Sequence, residues 1–424
     1  MSDIFVARQP IYDRELTVFA YDLLFSSGDA DAANTEIDSE AATSTVIVNT
    51  FANMGLTDLV GNRPAAMTVS KSFLLDAGSL QLPADRLILE LHREVEADEE
   101  VLAALSELKM RGYTIALDDF AGSPGREPLI QVADIVKLDV QALGQQGLWQ
   151  QSGPLQEIGT RLVAKRVETH EELDFCRSLG FDYYQGQFLC KPKVVTKRTI
   201  PANRMAKLAM LAELNSPEAD FDSLEKLIGR DVGLSYRFLR YINSAFFSLP
   251  HKIGSIRQAL VLLGIGAVRK WATLLAMADL DDKPDELIVT ALVRGKMCEL
   301  AAASRPTRER EEYFTVGMFS VIDALLDSPM DVVLSSLPLQ DDIKDALHHH
   351  LGPKGVVLSA VLNYERARFE DLRALAPPGV SAQEIYQWAI TWAREASAEL
   401  EAASRGADTA PRIGEAAPAP APAA

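Results

Sequence analysis

The sequence predicts an α/β barrel followed by an all-helical domain. Three observations predict it. Short apolar and β-branched runs alternate with helical patterns over roughly the first 200 of 424 residues. The strand signals stop from about Ile200 onward. The chain is also too long for one ordinary hydrophobic core.

Candidate strands fall at 5–8, 18–23, 66–69, 87–91, 114–117, 135–138, 162–164 and 183–185, with helical patterns at 40–54, 99–110 and 171–179. Repeated βα units of this size imply a mostly parallel sheet, which closes naturally into a TIM-like (β/α) barrel. In the second half Leu234, Phe238, Leu239 and Ile242 recur at helical spacing, as do Leu260, Leu263 and Val268. Ser255 with Gln258 reads as a capping box, and Gly264 suits the end of the helix it opens. Ser381 with Glu384 is a second box, opening a helix that runs towards Glu401. The closing EAAPAPAPAA has no apolar face to bury and reads as a disordered, extended tail. The expected division is a barrel at 1–198, a helical domain at 199–402 and a tail at 403–424.

Composition narrows the function classes. With 48% hydrophobic and 24% charged residues the chain has the make-up of a soluble globular protein. The longest uncharged apolar stretch, 259–268, is half of the roughly 20 residues a bilayer span requires. Asp3 and Arg8 stand where a signal peptide would need an apolar run. The expected home is the cytoplasm, without a membrane partner. Cys176, Cys190 and Cys298 are far apart and odd in number, against a disulfide framework or a cysteine-based zinc site. The formal charge of −18 repels phosphate backbones, so nucleic acid is not an expected partner.

A parallel barrel places its chemistry at the C-terminal ends of its strands. Asp22, Ser70, Glu90, Asp118 with Asp119, Lys137, Lys165 with Glu168, and Gln185 stand there. Carboxylates converging from separate strands suit one or two hard divalent cations, and a neighbouring lysine could orient a water or a phosphate. Any one of these residues is better explained as a turn cap; the set carries the argument.

The set resembles the EAL domain, a barrel family of Mg²⁺-dependent phosphodiesterases that linearise cyclic di-GMP. The likeness rests on AYDLLF (20–25), LILEL (87–91), IALDDFAG (115–122), IVKLDV (135–140), LVAKRVET (162–169) and LGFDYYQGQFLCKP (179–192), in family order. The resemblance implies Glu90, Asp118 and Asp119 as the metal ligands if any ion is bound. It implies Lys137 as the water-orienting lysine and Gln185 as a substrate-side or water contact, while Glu168 matches the second glutamate of the family's AEGVE segment.

The departures point the other way. Asp22 stands where the EAL glutamate binds metal and is one methylene shorter. Ser26 replaces a phosphate-facing arginine, and Ser70 replaces an asparagine whose carbonyl faces the metal. Lys165 replaces the first AEGVE glutamate, a reversal of charge. A unit charge at ~4 Å contributes about 4 kcal/mol at an effective dielectric near 20, so this exchange removes several kcal/mol of metal affinity. Pairing of Lys165 with Glu168 or Asp118 would fill the site with an internal counterion. Loss of the arginine at Ser26 also removes a bidentate grip on phosphate.

Residues from about 200 to 400 resemble the HDOD domain, a helical relative of HD-type metal phosphohydrolases. The likeness rests on RDVGLSYRFLRYINSAFFSLPHKIGSIRQALVLLGIGAVRKW (230–271) and ALHHHLGPKGVVLSAVLNYE (346–365). HD enzymes need a His-Asp dipeptide, and none is present: His92, His170, His251 and His350 precede Arg, Glu, Lys and Leu. Consecutive helical residues point about 100° apart, so the run His348–His350 is expected to be structural or exposed. Tyr236, Phe238, Tyr241, Phe246 and Phe247 are expected in the core, with a partner-binding groove as the alternative.

Together these readings predict a non-catalytic signalling regulator, a pseudoenzyme acting through contacts with other signalling proteins. No catalytic residue is expected to be active and no cofactor is expected. Mg²⁺ or Mn²⁺ enters only if residual phosphodiesterase activity exists. The alternatives are an active cyclic di-GMP phosphodiesterase or a receptor that binds the dinucleotide without cutting it.

Overall fold

The structure, a computed structural model, describes residues 4–27, 56–76, 83–118, 126–193, 202–278, 283–369, 372–377 and 379–405. Eight strands close into a barrel in sequence order: β1 (Ile4–Tyr12), β2 (Val18–Ser27), β3 (Ala65–Val69), β4 (Leu87–Leu91), β5 (Thr114–Leu117), β6 (Ile135–Asp139), β7 (Arg161–Val167) and β8 (Tyr183–Gly186). β2 to β8 are parallel neighbours. β1 is antiparallel to both β2 and β8. Every predicted strand lies within an observed one. The antiparallel first strand follows from its short link to β2, since a parallel crossover needs a dozen or more residues.

The helices of this half are α1 (Leu56–Val60), α2 (Lys71–Asp76), α3 (Glu99–Met110), α4 (Glu127–Ile130), α5 (Val140–Glu157) and α6 (His170–Ser178). The predicted helix at 40–54 lies outside the described residues. Side chains alternate across each strand. Ile11, Ala20, Ala66, Ile88, Ala116, Ile135 and Val163 fill the barrel interior, while Met67, Leu89, Leu117, Leu138 and Ala164 belong to the layer between strands and helices. Two residues further along, the interior positions become polar. That step makes the candidate site.

The second half holds α7 (Ala202–Leu214), α8 (Phe221–Arg230), α9 (Val232–Ile242), α10 (Ile256–Ala278), α11 (Asp285–Ala301), α12 (Thr307–Phe319), α13 (Ile322–Leu326), α14 (Met330–Ser336), α15 (Asp341–His349), α16 (Gly352–Glu365) and α17 (Ala382–Arg405). Gly264 breaks α10 at φ 83° and ψ 165°, as its place after Leu263 predicts. By length and composition α10 passes as a bilayer span, but 50% of its apolar window is buried within the protein. Ser381 and Glu384 cap α17 reciprocally at 3.2 and 2.8 Å. In the other predicted box only half forms. Ser255 accepts from the Gln258 amide at 3.2 Å, while Gln258 Oε1 turns to the Gly254 amide at 2.7 Å. α17 continues to Arg405, past the expected start of the tail, because the Ala-rich end favours helix and Ala403 is buried.

Tyr241, Phe246, Phe247, Trp271 and Trp392 form one aromatic cluster with ring centroids 4.9 to 6.0 Å apart. Phe238 is buried, whereas Tyr236 is 43% exposed and stays outside the core. Asn243 does more than end α9. Its side chain donates to the Ile253 carbonyl at 2.8 Å and accepts from the Ile253 amide at 2.7 Å, closing the loop that leads to α10.

Candidate functional site

On β2, β4 and β6 three charged side chains leave solvent together. Lys137, Asp22 and Glu90 are buried on the inward face of their strands. The Lys137 ammonium donates to Asp22 Oδ2 at 2.8 Å and lies 2.6 Å from Glu90 Oε1. Gln185 on β8 donates to the same Asp22 oxygen at 2.8 Å and to Gln9 Oε1 at 2.9 Å. Gln9 reaches the cluster because the antiparallel register sets it opposite Asp22. Sequence reasoning missed Gln9, since that register is invisible in composition or period.

Burial in this dry interior, reinforced by the charges of Asp22 and Asp118, pushes the Glu90 carboxyl up to about 8 against the counter-pull of Lys137. Burial alone would lower the Lys137 ammonium. Asp22 and Glu90 outweigh it and hold the lysine above its ordinary range. Both shifts favour the protonated form, of the Glu90 carboxyl and of the Lys137 ammonium. Asp22 Oδ1 and Gln185 Oε1 are buried with no hydrogen-bond donor among the described residues, and Glu90 Oε1 meets the ammonium outside hydrogen-bond geometry.

The reversed charge at 165 finds its counterion. Lys165 Nζ lies 2.9 and 2.8 Å from the two carboxylate oxygens of Asp118, across the mouth from β7 to β5. Buried Arg126 adds a second cation by donating to the Asp118 carbonyl at 3.3 Å. Of the two partners open to Lys165 in the sequence, Glu168 is engaged elsewhere. Its carboxylate accepts from Lys191 at 2.8 Å. The separation has a local cause. β7 bulges between Ala164 and Val167, with Arg166 in the left-handed region at φ 60°. The bulge brings Val167 so close to β8 that a Cβ on Gly186 would stand 2.0 Å from the Val167 carbonyl oxygen.

The remaining candidates separate. Ser70 caps α2, accepting from the Phe73 amide at 3.3 Å beside Ser72. Asp119 lies outside the described residues. His348 and His349 end α15 and His350 caps it at φ 55°, all three exposed. Among the described residues no group of three His, Cys, Asp or Glu side chains is placed to hold a metal ion. Each of Asp22, Glu90 and Asp118 has a lysine ammonium within 3 Å: Lys137, matching the lysine of the family, at the first two, and Lys165, where the family's charge is reversed, at the third.

A closed barrel with an antiparallel first strand and a carboxylate–lysine cluster at its mouth, joined to a helical domain, defines a two-domain architecture. The family models agree: the EAL domain matches residues 62–192 and the HDOD domain residues 200–326. The chain is 33% identical over 374 residues to "Cyclic di-GMP phosphodiesterase CdgJ" of Vibrio cholerae serotype O1, covering 87% of each chain. It is 29% identical over 403 residues to "Uncharacterized protein YuxH" of Bacillus subtilis, covering 92% of this chain and 98% of that one. The chain belongs to the family of proteins that join an EAL domain to an HDOD domain. Solved structures similar to its barrel half include a standalone EAL protein from Vibrio cholerae O395 in its c-di-GMP-bound form, at 19% identity and TM-score 0.35, covering 46% of this chain and 93% of that one. The Xanthomonas citri FimX EAL domain in complex with c-diGMP aligns at 15% identity and TM-score 0.36, covering 44% and 86%.

Proposed function

We propose that this chain is a non-hydrolysing regulator in cyclic di-GMP signalling. Its barrel keeps the EAL architecture but carries the Lys165 ammonium on Asp118 where the family has a carboxylate, and its HDOD half engages other signalling proteins. The observation that supports this reading is the two-oxygen contact of Lys165 with Asp118. An ammonium held there opposes a divalent ion, and without that ion the phosphodiester has no Lewis acid and the water no activation. The net charge of −18 and the absence of a basic run in the sequence favour protein partners in the cytoplasm over nucleic acid or membrane.

A second reading is a metal-dependent phosphodiesterase, favoured by the 33% identity to the Vibrio cholerae phosphodiesterase. The test is incubation of the full chain with cyclic di-GMP and Mg²⁺ or Mn²⁺. No linear dinucleotide is expected. Turnover that disappears in Glu90→Gln would replace the first reading with the second. Calorimetric titration with cyclic di-GMP, without metal, then separates a receptor from a scaffold.

A further inference from the structure

We infer that the helical half completes the barrel and sets the geometry of the lysine–carboxylate cluster through the β1–β2 hairpin; the inference rests on reading that cluster as the functional site. β8 pairs with β1 only at Ile11 and Tyr12, so the earlier part of β1 runs past the end of the ladder. An exposed strand edge of that kind leaves backbone groups without partners. Here the helical half supplies them. The Arg8 amide donates to the Tyr386 hydroxyl at 3.0 Å, and the Tyr364 hydroxyl donates to the Val6 carbonyl at 3.1 Å. Two tyrosines from α16 and α17 thus take the place of missing strand bonds. Phe5 stacks on Phe369 at 5.4 Å, and Ala7 is buried in the helical core rather than the barrel core.

The same hairpin carries the site. On β1, Arg8 bonds outward to Tyr386 while the next residue, Gln9, bonds inward to Gln185. On β2, Tyr21 donates to Glu286 of α11 at 3.0 Å while the next residue, Asp22, accepts from Lys137 and Gln185. The Arg8 guanidinium lies 4.3 Å from the Tyr21 ring centroid and ties the two outward positions together. Adjacent residues of one strand cannot shift independently, because each peptide unit is planar and each strand is held in register. A displacement of α16 and α17 therefore moves Gln9 and Asp22 relative to Lys137, whose strand the helical half does not hold through these bonds. A partner of the HDOD half acts on the barrel site by this route.

The test is hydrogen exchange on the full chain carrying Tyr364→Phe and Tyr386→Phe, with Arg257→Ala, which removes an exposed ion-pairing side chain of the helical half, as the control. Exchange about tenfold faster is expected at 5–12, 18–25 and 183–186, with 87–91 and 135–139 unchanged and the control like the parent. Acceleration confined to 5–8 overturns the inference, as does equal acceleration of all strands. Exchange is read without ligand, so turnover of cyclic di-GMP would end the proposed function and leave this result standing.

Discussion

Lys165 and Asp118 face each other across the barrel mouth with the ammonium within 3 Å of both carboxylate oxygens. The pair is partly open to water, with side-chain exposures of 21% and 17%, so its own contribution to stability is small, about 1 kcal/mol. Its effect on a cation is larger. Lys165→Glu changes the local charge by two units and removes the ammonium from the Asp118 carboxylate, and Mn²⁺ affinity should rise at least about tenfold. Titration followed by Mn²⁺ paramagnetic resonance reads this directly. Equal affinity in the parent and the variant would show that Lys165 does not oppose the ion.

Lys137 behaves differently because it is buried. Its removal leaves Asp22 and Glu90 together with no compensating charge. Lys137→Met should destabilise the chain by about 3–5 kcal/mol, far more than Lys165→Met. Urea unfolding of both variants measures the contrast. If the two losses are alike, the distinction between a structural and a mouth lysine is wrong.

Much of this was legible in the residues. The eight strands follow from short apolar and β-branched runs, and the helical pattern at 99–110 coincides with α3. The families followed from motifs in order. Three things were not legible, all of them matters of register. Gln9 joins the cluster through an antiparallel pairing that no spacing encodes. The choice of Asp118 over Glu168 for Lys165 is set by the bulge at Arg166 and by Lys191, which arrives from beyond β8. The tyrosines that finish the edge of β1 lie more than 350 residues away in sequence.

The close approach of β7 and β8 gives a third prediction. Gly186→Ala places a methyl against the Val167 carbonyl, a backbone atom that cannot swing aside. The bulge must open, at a cost of about 3 kcal/mol. Lys165 moves with it, so the variant should also lose the excess of Mn²⁺ affinity that Lys165→Glu shows over the parent. Unfolding free energy and Mn²⁺ titration of the double variant test both parts. A stable Gly186→Ala chain would mean that the strands tolerate a wider separation.

The buried Glu90 imposes a sign on the pH dependence. Its carboxyl titrates near 8 in the fold but near its ordinary 4.5 when unfolded. Between those values the unfolded chain releases a proton that the folded chain keeps, so stability falls as pH rises through this window and levels off above it. A tenfold difference in proton affinity between the folded and unfolded chain corresponds to about 1.4 kcal/mol. Coupling of the Glu90 carboxyl to the charges around it spreads the loss, giving roughly 2–4 kcal/mol in total. Glu90→Gln removes the titrating proton while keeping the shape. Denaturant unfolding at pH 5, 6.5 and 8 should therefore show the parent losing stability relative to Glu90→Gln at each step. Parallel curves would mean that Glu90 is ionised throughout, so that Asp22 and Glu90 share Lys137 as two anions. The barrel mouth would then carry a net negative charge able to attract a divalent ion.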